Sequence, residues 1–359
     1  MNRVFLTNNT PVKFDFEQRV DTFKVDEVLK YKLLKRGAFR LLKVKKVGKS
    51  TIELIEYLSE VLRVSQKEFG YAGLKDKHAT TTQYLTVPKD ISIARFQNSD
   101  EVELVELGFV ADRLKIGSLL GNKFEIVLEN VDKNSYALIE NAIIKFAKFG
   151  FANFFGHQRF GALEDAVEKG EKIADIGKRA KSQKAKIMLA AYQAKYFNEW
   201  LNRRLEISKK LAKGKKIEEL KISPALINTI ANTPTLFKLL PGDLGFRYRS
   251  GRKNYELVND IKKYSKLFNT KKYYPTGVLF GSDVRLSSSI AGKIEREYID
   301  NDFSALRGAR RAAWVWAKDV KSEYNVKNKR VKLKFFLGSG SYATVLLEEL
   351  ANNQLNSKM

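Results

Sequence analysis

Asp76 is the side chain best suited to covalent or proton-transfer chemistry in this sequence. It lies in Gly70-Tyr71-Ala72-Gly73-Leu74-Lys75-Asp76-Lys77-His78-Ala79-Thr80-Thr81-Thr82-Gln83, between two lysines. Ala72 and Gly73 let backbone come close to a ligand, and a β-prone run from Thr81 to Val87 follows, ending at Pro88. Asp76 is therefore expected on a loop entering a strand. Neighbouring cations favour the ionised form of a carboxylate. Such a carboxylate in a positive field suits nucleophilic or base chemistry on a polyanion. A lysine-flanked acid is equally what a solvated surface turn presents, so the rest of the chain must decide.

Composition removes many alternatives. The 359 residues contain no cysteine, which excludes disulfides, thiolate nucleophiles, iron–sulfur clusters and Cys-based zinc sites. Only two histidines occur, His78 and His157, too few for a His-rich metal site. Chemistry is left to carboxylates, lysines and hydroxyls, without redox. Lys plus Arg is 66 against 41 for Asp plus Glu, a net charge of +25. That excess points to a polyanionic partner. No apolar run approaches the ~18–20 residues that span a bilayer, and residues 1–9 lack a signal-peptide core. RNA or DNA is thus expected rather than membrane, in the cytoplasm. At this length two domains are expected.

The elements that must position Asp76 read as follows. Phe39 to Val47 is a basic strand within an acid-free run from Tyr31 to Lys49 that carries eight Lys/Arg (32, 35, 36, 40, 43, 45, 46 and 49). This stripe is a candidate nucleic-acid surface or a solvated face. Ser50-Thr51-Ile52-Glu53 fits a capping box. The helix it opens should run from Thr51 to Leu62 with Ile52, Ile55, Leu58 and Leu62 inward. Val102 to Val110 has strand character. A glycine turn at Gly117 to Gly121 leads into a strand with Phe124, Ile126 and Leu128 on one face. Ser135 to Phe149 is an amphipathic helix stopped by Gly150. Residues 153–161 are dense in aromatics, glycine and polar groups, as at a pocket wall or domain junction. Lys184 to Leu205 reads as a helix with Ile187, Ala191, Ala194, Phe197 and Leu201 inward; 209–216 as a basic loop; 231–285 as loop-rich. Trp314 and Trp316 share a strand face, Val331 to Leu337 is a strand, and Ser341 to Leu350 a helix. Gly338-Ser339-Gly340 between them could bind phosphate, although a strand-to-helix turn explains it.

Several of these segments together resemble the TruD class of tRNA pseudouridine synthases. Ala72 to Ala79 is similar to the family's catalytic loop. Gly121-Asn122-Lys123-Phe124 is similar to its Gly-Asn-x-Phe turn, and Asn153-Phe154-Phe155-Gly156-His157-Gln158-Arg159-Phe160-Gly161 to its signature at that place. Thr276 to Gly281, Ala309-Arg310-Arg311 and Phe336 to Thr344 follow in family order, so the likeness spans nearly the whole chain. It implies an α+β fold: a pseudouridine-synthase core of mixed, mainly antiparallel sheet with flanking helices, carrying an inserted α/β TRUD-type domain. The core would comprise 1–149 and 306–359, and the insert 150–305. It implies isomerisation of uridine to pseudouridine, at position 13 of tRNA, by a monomer that needs no cofactor. Asp76 would be the catalytic aspartate, Phe124 would stack on the base, and Asn122 would hold the loop or base. Asn153, Phe155, Gln158 and Arg159 would either line the substrate pocket or pin the hinge between the domains. The chain departs from the family ahead of Phe23, where Glu17-Gln18-Arg19-Val20-Asp21-Thr22 replaces the usual Pro-Glu-Asp with an upstream Lys. That leaves Arg19, or the basic residues 75, 77, 310 and 311, to supply a cationic partner for Asp76.

Other classes fit parts of the same pattern. A non-catalytic RNA-binding protein or RNA chaperone would share the charge. A nuclease would want clustered carboxylates for metal, whereas Asp76 stands between lysines.

Overall fold

The computed structural model describes residues 3–7, 10–160, 166–175, 182–300, 303 and 306–355. In chain order the elements begin β1 (Phe23–Leu29), β2 (Phe39–Val47), α1 (Thr51–Leu62), β3 (Gly70–Tyr71), β4 (Thr80–Pro88), β5 (Val102–Val110), β6 (Leu119–Leu128) and α2 (Lys133–Phe149). They continue with β7 (Phe151–Ala152), α3 (Ala166–Asp175), α4 (Gln183–Ala212), α5 (Pro224–Ala231), β8 (Leu244–Arg249), β9 (Arg252–Leu257), α6 (Ile261–Asn269) and β10 (Tyr274–Leu279). The last are α7 (Ser289–Arg296), β11 (Ala309–Ala312), β12 (Trp314–Val315), β13 (Lys318–Asn325), β14 (Arg330–Gly338) and α8 (Ala343–Ala351). The chain forms two compact units, one of Val12–Ile144 with Ala317–Ala343, the other of Met1–Pro11, Lys145–Trp316 and Thr344–Leu355.

The first unit is built on one sheet of order β13-β14-β6-β1-β4-β2-β5, with β3 added beside β4. β1 and β4 run parallel, and the other described pairs are antiparallel. The sheet is therefore mixed and mainly antiparallel. Period-two burial along β1 sends Phe23, Val25, Glu27 and Leu29 inward. α1 covers the β2–β4–β5 side, packing Leu54, Ile55, Leu58 and Leu62 on Leu42, Val44, Leu85 and Val87. Its capping box is complete: the Ser50 hydroxyl accepts from Glu53 N–H, and the Glu53 carboxylate accepts from Ser50 N–H. The expected inward face is off by one position, since Ile52 is 47% exposed and Thr51 and Leu54 are buried instead. Thr51, Leu54, Ile55, Leu58 and Leu62 keep the i, i+3, i+4 spacing that Ile52 breaks.

Gly121 lies inside β6 rather than in a turn. A Cβ there would come within 2.1 Å of the Leu337 carbonyl and 2.5 Å of the Phe336 ring, so β14 can pair only with glycine at this point. Gly150, by contrast, ends α2 as expected, at φ +76° and with Trp314 Nε1 where a Cβ would go.

The second unit holds a four-stranded antiparallel sheet of order β11-β10-β8-β9. The long α4 packs on it, and Gly277 of β10 leaves room for the Trp200 ring, 2.2 Å from where a Cβ would stand. Residues 231–285 are about half loop and turn, as expected, with β8, β9, α6 and β10 set among them; Gly245 and Gly277 lie where a ring packs against backbone. α4 runs on to Ala212, so the basic loop begins only at Lys213. Ile187, expected inward, is 54% exposed, while Ala191, Ala194, Phe197 and Leu201 are buried. Trp314 and Trp316 are buried as expected. At the centre Arg204 forms a two-pronged ion pair with Asp243, 2.5 and 2.9 Å, both residues fully buried.

Candidate active site

Asp76 sits on the loop ahead of β4, as its sequence context predicts. The loop is held by its backbone. Lys75 N–H donates to the Thr51 hydroxyl at 2.8 Å, and Thr51 N–H to the Lys75 carbonyl at 3.3 Å. Thr51 in turn donates to Gln83 Oε1 at 2.9 Å. Ala72 and Ala79 are buried on either side. The Asp76 carboxylate itself is exposed and accepts one hydrogen bond, from Gln18 Nε2 at 3.4 Å. A rigid backbone thus offers an open carboxylate.

The two flanking lysines do not pair with it. Lys75 turns inward to Glu27 Oε2 at 2.6 Å, with both side chains buried. Lys77 reaches back to Glu53 Oε1 at 2.6 Å, and that bond with the Ser50 N–H contact holds the Glu53 carboxyl down at about 2. Arg19 pairs with Glu17, Asp21 and Glu129. Arg310 and Arg311 belong to the other unit, where Arg310 pairs with Glu295 and Arg311 donates to the Asn153 and Phe154 carbonyls. None of the five cations expected beside the Asp76 carboxylate is paired with it among the described residues.

The cation that does reach this residue is Lys46. Its side chain is fully buried, and its ammonium donates to the Asp76 carbonyl at 3.1 Å and to the Lys49 carbonyl. Burial pushes this ammonium down to about 8, with Lys75 adding to the fall and Asp76 and Glu53 opposing it. Sequence reading placed Lys46 in a surface stripe. The signal was there: Leu42, Val44 and Lys46 share one face of β2 by strict alternation, and that face is the core.

On β6, Phe124, Ile126 and Leu128 do share the buried face. Register sets Phe124 opposite Val25, which stands opposite Thr81 of β4, so Phe124 is two strands from the start of β4, about 10 Å. Its ring stacks on Phe335 at 5.4 Å and meets Phe23 at 6.1 Å. Asn122 stands opposite Glu27. Asn122 Oδ1 and Glu27 Oε1 are both buried acceptors with no donor. Asn122, Glu27, Lys75 and Asp76 thus form a chain of neighbours linking the strand to the loop. Glu27 itself is raised by burial, with Lys75 working against that rise. Glu27→Gln leaves the Lys75 ammonium buried without its counter-charge, and is expected to cost about 3 kcal/mol by denaturant unfolding.

Asn153, Phe155 and Arg159 come together in the other unit. The Asn153 amide donates to Ala312 O at 2.9 Å, and the residue is buried. Phe155 lies beneath the Arg311 guanidinium at 3.8 Å, edge-on to Phe197, with Arg159 over it at 5.5 Å. Asn198 fixes its backbone at both N–H and carbonyl. Arg159 is half-exposed, and its Nε has no partner. Gly161, the end of this motif, lies outside the described residues.

Three of the eight cations in the acid-free run of Tyr31 to Lys49 are paired in space among the described residues. Arg40, Lys45 and Lys49 pair with Glu106, Glu103 and Glu101 on or beside β5. The Gly338–Gly340 turn spends its Ser339 N–H on the Leu120 carbonyl. Among the described residues no group of three or more His, Asp or Glu is placed to hold a metal, and no helix is long and apolar enough to cross a membrane.

Comparison with known proteins adds independent findings. The family model described as tRNA pseudouridine synthase D (TruD) matches residues 2–175 and 224–350. The chain is 34% identical to the tRNA pseudouridine synthase D of Wolinella succinogenes, over 99% of each chain. It is 35% identical to that of Nitratiruptor sp., over the full length of both. Its backbone superposes on the crystal structure of a Methanosarcina mazei protein described as tRNA pseudouridine synthase D with TM-score 0.65, covering 98% and 96% of the two chains at 21% identity.

Proposed function

The chain belongs to the TruD family of tRNA pseudouridine synthases, and from that premise we propose that it isomerises uridine 13 of tRNA with Asp76 as its one catalytic carboxylate. What carries the reading is the Asp76 loop: backbone fixed from below by Thr51 and Lys46, carboxylate open to a ligand. The reaction breaks the N1–C1′ bond and makes a C5–C1′ bond in the same base. C5 gives up a proton and N1 gains one, so atoms balance with no donor, oxidant or cofactor. Asp76 either attacks the nucleoside directly or removes a ribose proton to give a glycal. Both uses need an ionised, accessible oxygen.

The freed uracil must be held while it turns. Phe124 supplies a flat ring for it, base–aromatic stacking being worth ~1–3 kcal/mol. Asn122 Oδ1, buried and without a donor, is an acceptor for the imide N–H. In the other unit, Arg159, beside Phe155 and Asn153, is a cationic contact for the tRNA in its own right. A uridine paired or stacked in a folded tRNA has to leave its stack to meet these groups. The functional division we propose is a catalytic domain of 1–149 and 306–359 around an insert of 150–305. The protein would act as a cytoplasmic monomer.

With a net charge of +25, tRNA binding rests on phosphate contacts. Six such contacts would cost about 10³-fold in affinity between 50 and 200 mM salt. Filter binding in a salt series is expected to give a log–log slope near −5 (roughly −0.9 per contact). The activity itself is tested by tritium release from C5-labelled uridine in tRNA transcripts. Release with no added metal, mapped to position 13, is the expected result. Strand scission would instead identify a nuclease, and tight binding without release a chaperone.

A further inference from the structure

Lys46 is a charged side chain with no accessible surface, under the loop that carries Asp76. Burying an ammonium costs several kcal/mol unless its donors are used. Here they are used on two backbone carbonyls, Lys49 and Asp76. Its neighbours across the sheet are Thr81 on β4 and Val102 on β5, neither of which titrates. The charged groups around it are Asp76 and Lys75 from the loop and Glu53 from α1. No carboxylate forms an ion pair with it among the described residues. An apolar side chain of the same length would trade the cost of burying the ammonium against two carbonyls left without this donor, so net stability is a weak reason for a lysine here.

We infer that Lys46 is a positioning residue for the reaction, its buried ammonium gripping the Asp76 carbonyl and so fixing where the carboxylate points. This rests on the reading of Asp76 as the catalytic group. Three anchors hold the loop, and they differ in kind. Thr51 fixes Lys75, the preceding residue, and Gly48 N–H fixes Ala79 at 3.3 Å. Among the described residues Lys46 is the group that bonds the Asp76 carbonyl. Losing that bond frees rotation of the Asp76 peptide between the anchors at Lys75 and Ala79, and small misplacements of a reacting group are costly. The charge of the ammonium adds a favourable field at a carboxylate that must be ionised to work. Burial brings its proton loss to about 8, so the charged form holds below that pH and is lost above it.

The test compares Lys46→Met and Lys46→Gln with the native enzyme. Single-turnover tritium release, tRNA dissociation constant and thermal unfolding are measured for each from pH 6.5 to 9.5. Lys46→Met is expected to unfold at the same temperature or higher. Its single-turnover rate should fall about tenfold at pH 7 with tRNA affinity within twofold. The deficit should shrink toward pH 9.5, where the native ammonium has lost its proton. Lys46→Gln, which keeps a donor, should lie between the two in rate. A Lys46→Met enzyme within twofold of native rate at pH 7 overturns the inference. So does a rate loss that follows unfolding in both variants. If Asp76→Asn stays active, the catalytic reading itself has failed, whatever Lys46 does.

Discussion

Asp76→Asn is expected to lower single-turnover tritium release by about 10⁴-fold, equivalent to about 5.4 kcal/mol of barrier. The amide keeps the shape but cannot attack as an anion or take a proton. Neither of the two carboxylates described beside the loop can substitute. Glu27 is buried and paired with Lys75, and Glu53 is committed to Lys77 and the helix cap. The same substitution should leave the fold untouched. The carboxylate is exposed and, among the described residues, its hydrogen bond is the 3.4 Å one from Gln18, so the stability change should lie within about 0.5 kcal/mol. tRNA affinity should hold within about twofold or rise, because phosphate contacts dominate it and one negative charge is removed. Rate, fold and binding therefore separate. A variant that still converts its target at the native rate would reduce the likeness to the synthases to a likeness of shape.

The sequence carried most of the architecture because period and punctuation agreed. β2, the Asp76 loop, β4, β5, β6 and α2 follow from alternation, a capping box and Gly150. What it hid were interactions between segments far apart in the chain. The basic run before α1 has no acid within it, yet β5 supplies Glu106, Glu103 and, at its edge, Glu101 as partners. Local charge counting cannot find those. The lysines beside Asp76 looked like its field, but each is drawn to a carboxylate from another element, Glu27 of β1 or Glu53 of α1. Lys46 was counted with the surface because it is charged, although its place in the alternation put it in the core. Gly245 and Gly277 make room for the rings of Tyr273 and Trp200, which no local pattern announces. In each case the deciding contact was tertiary, while the residue type and the local period pointed apart. That conflict is itself a signal: at Lys46 it marks a charge on a core face beneath the proposed catalytic residue.

Phe124 carries the second large effect, and here two roles must be told apart. The ring is 8% exposed and stacked on Phe335. Phe124→Ala is therefore expected to cost about 3–5 kcal/mol in stability from lost burial and the cavity left behind. That result alone would fit a plain core residue. Phe124→Leu keeps most of the volume and should cost under about 1.5 kcal/mol, leaving a folded enzyme at assay temperature. If the ring holds the freed uracil, the leucine variant must still lose turnover, because an aliphatic side chain offers no π-face. Stacking worth ~1–3 kcal/mol corresponds to a fall of about five- to 150-fold in single-turnover rate. Phe124→Tyr retains the face and should stay within about threefold of native if the added hydroxyl can point to the ligand. The loss should appear in rate and not in tRNA affinity, since one base contributes little beside the phosphate contacts. A leucine variant as fast as native would remove Phe124 from the chemistry and leave it as packing between β1 and β14. The uracil would then have to be held by Asn122 and the loop alone.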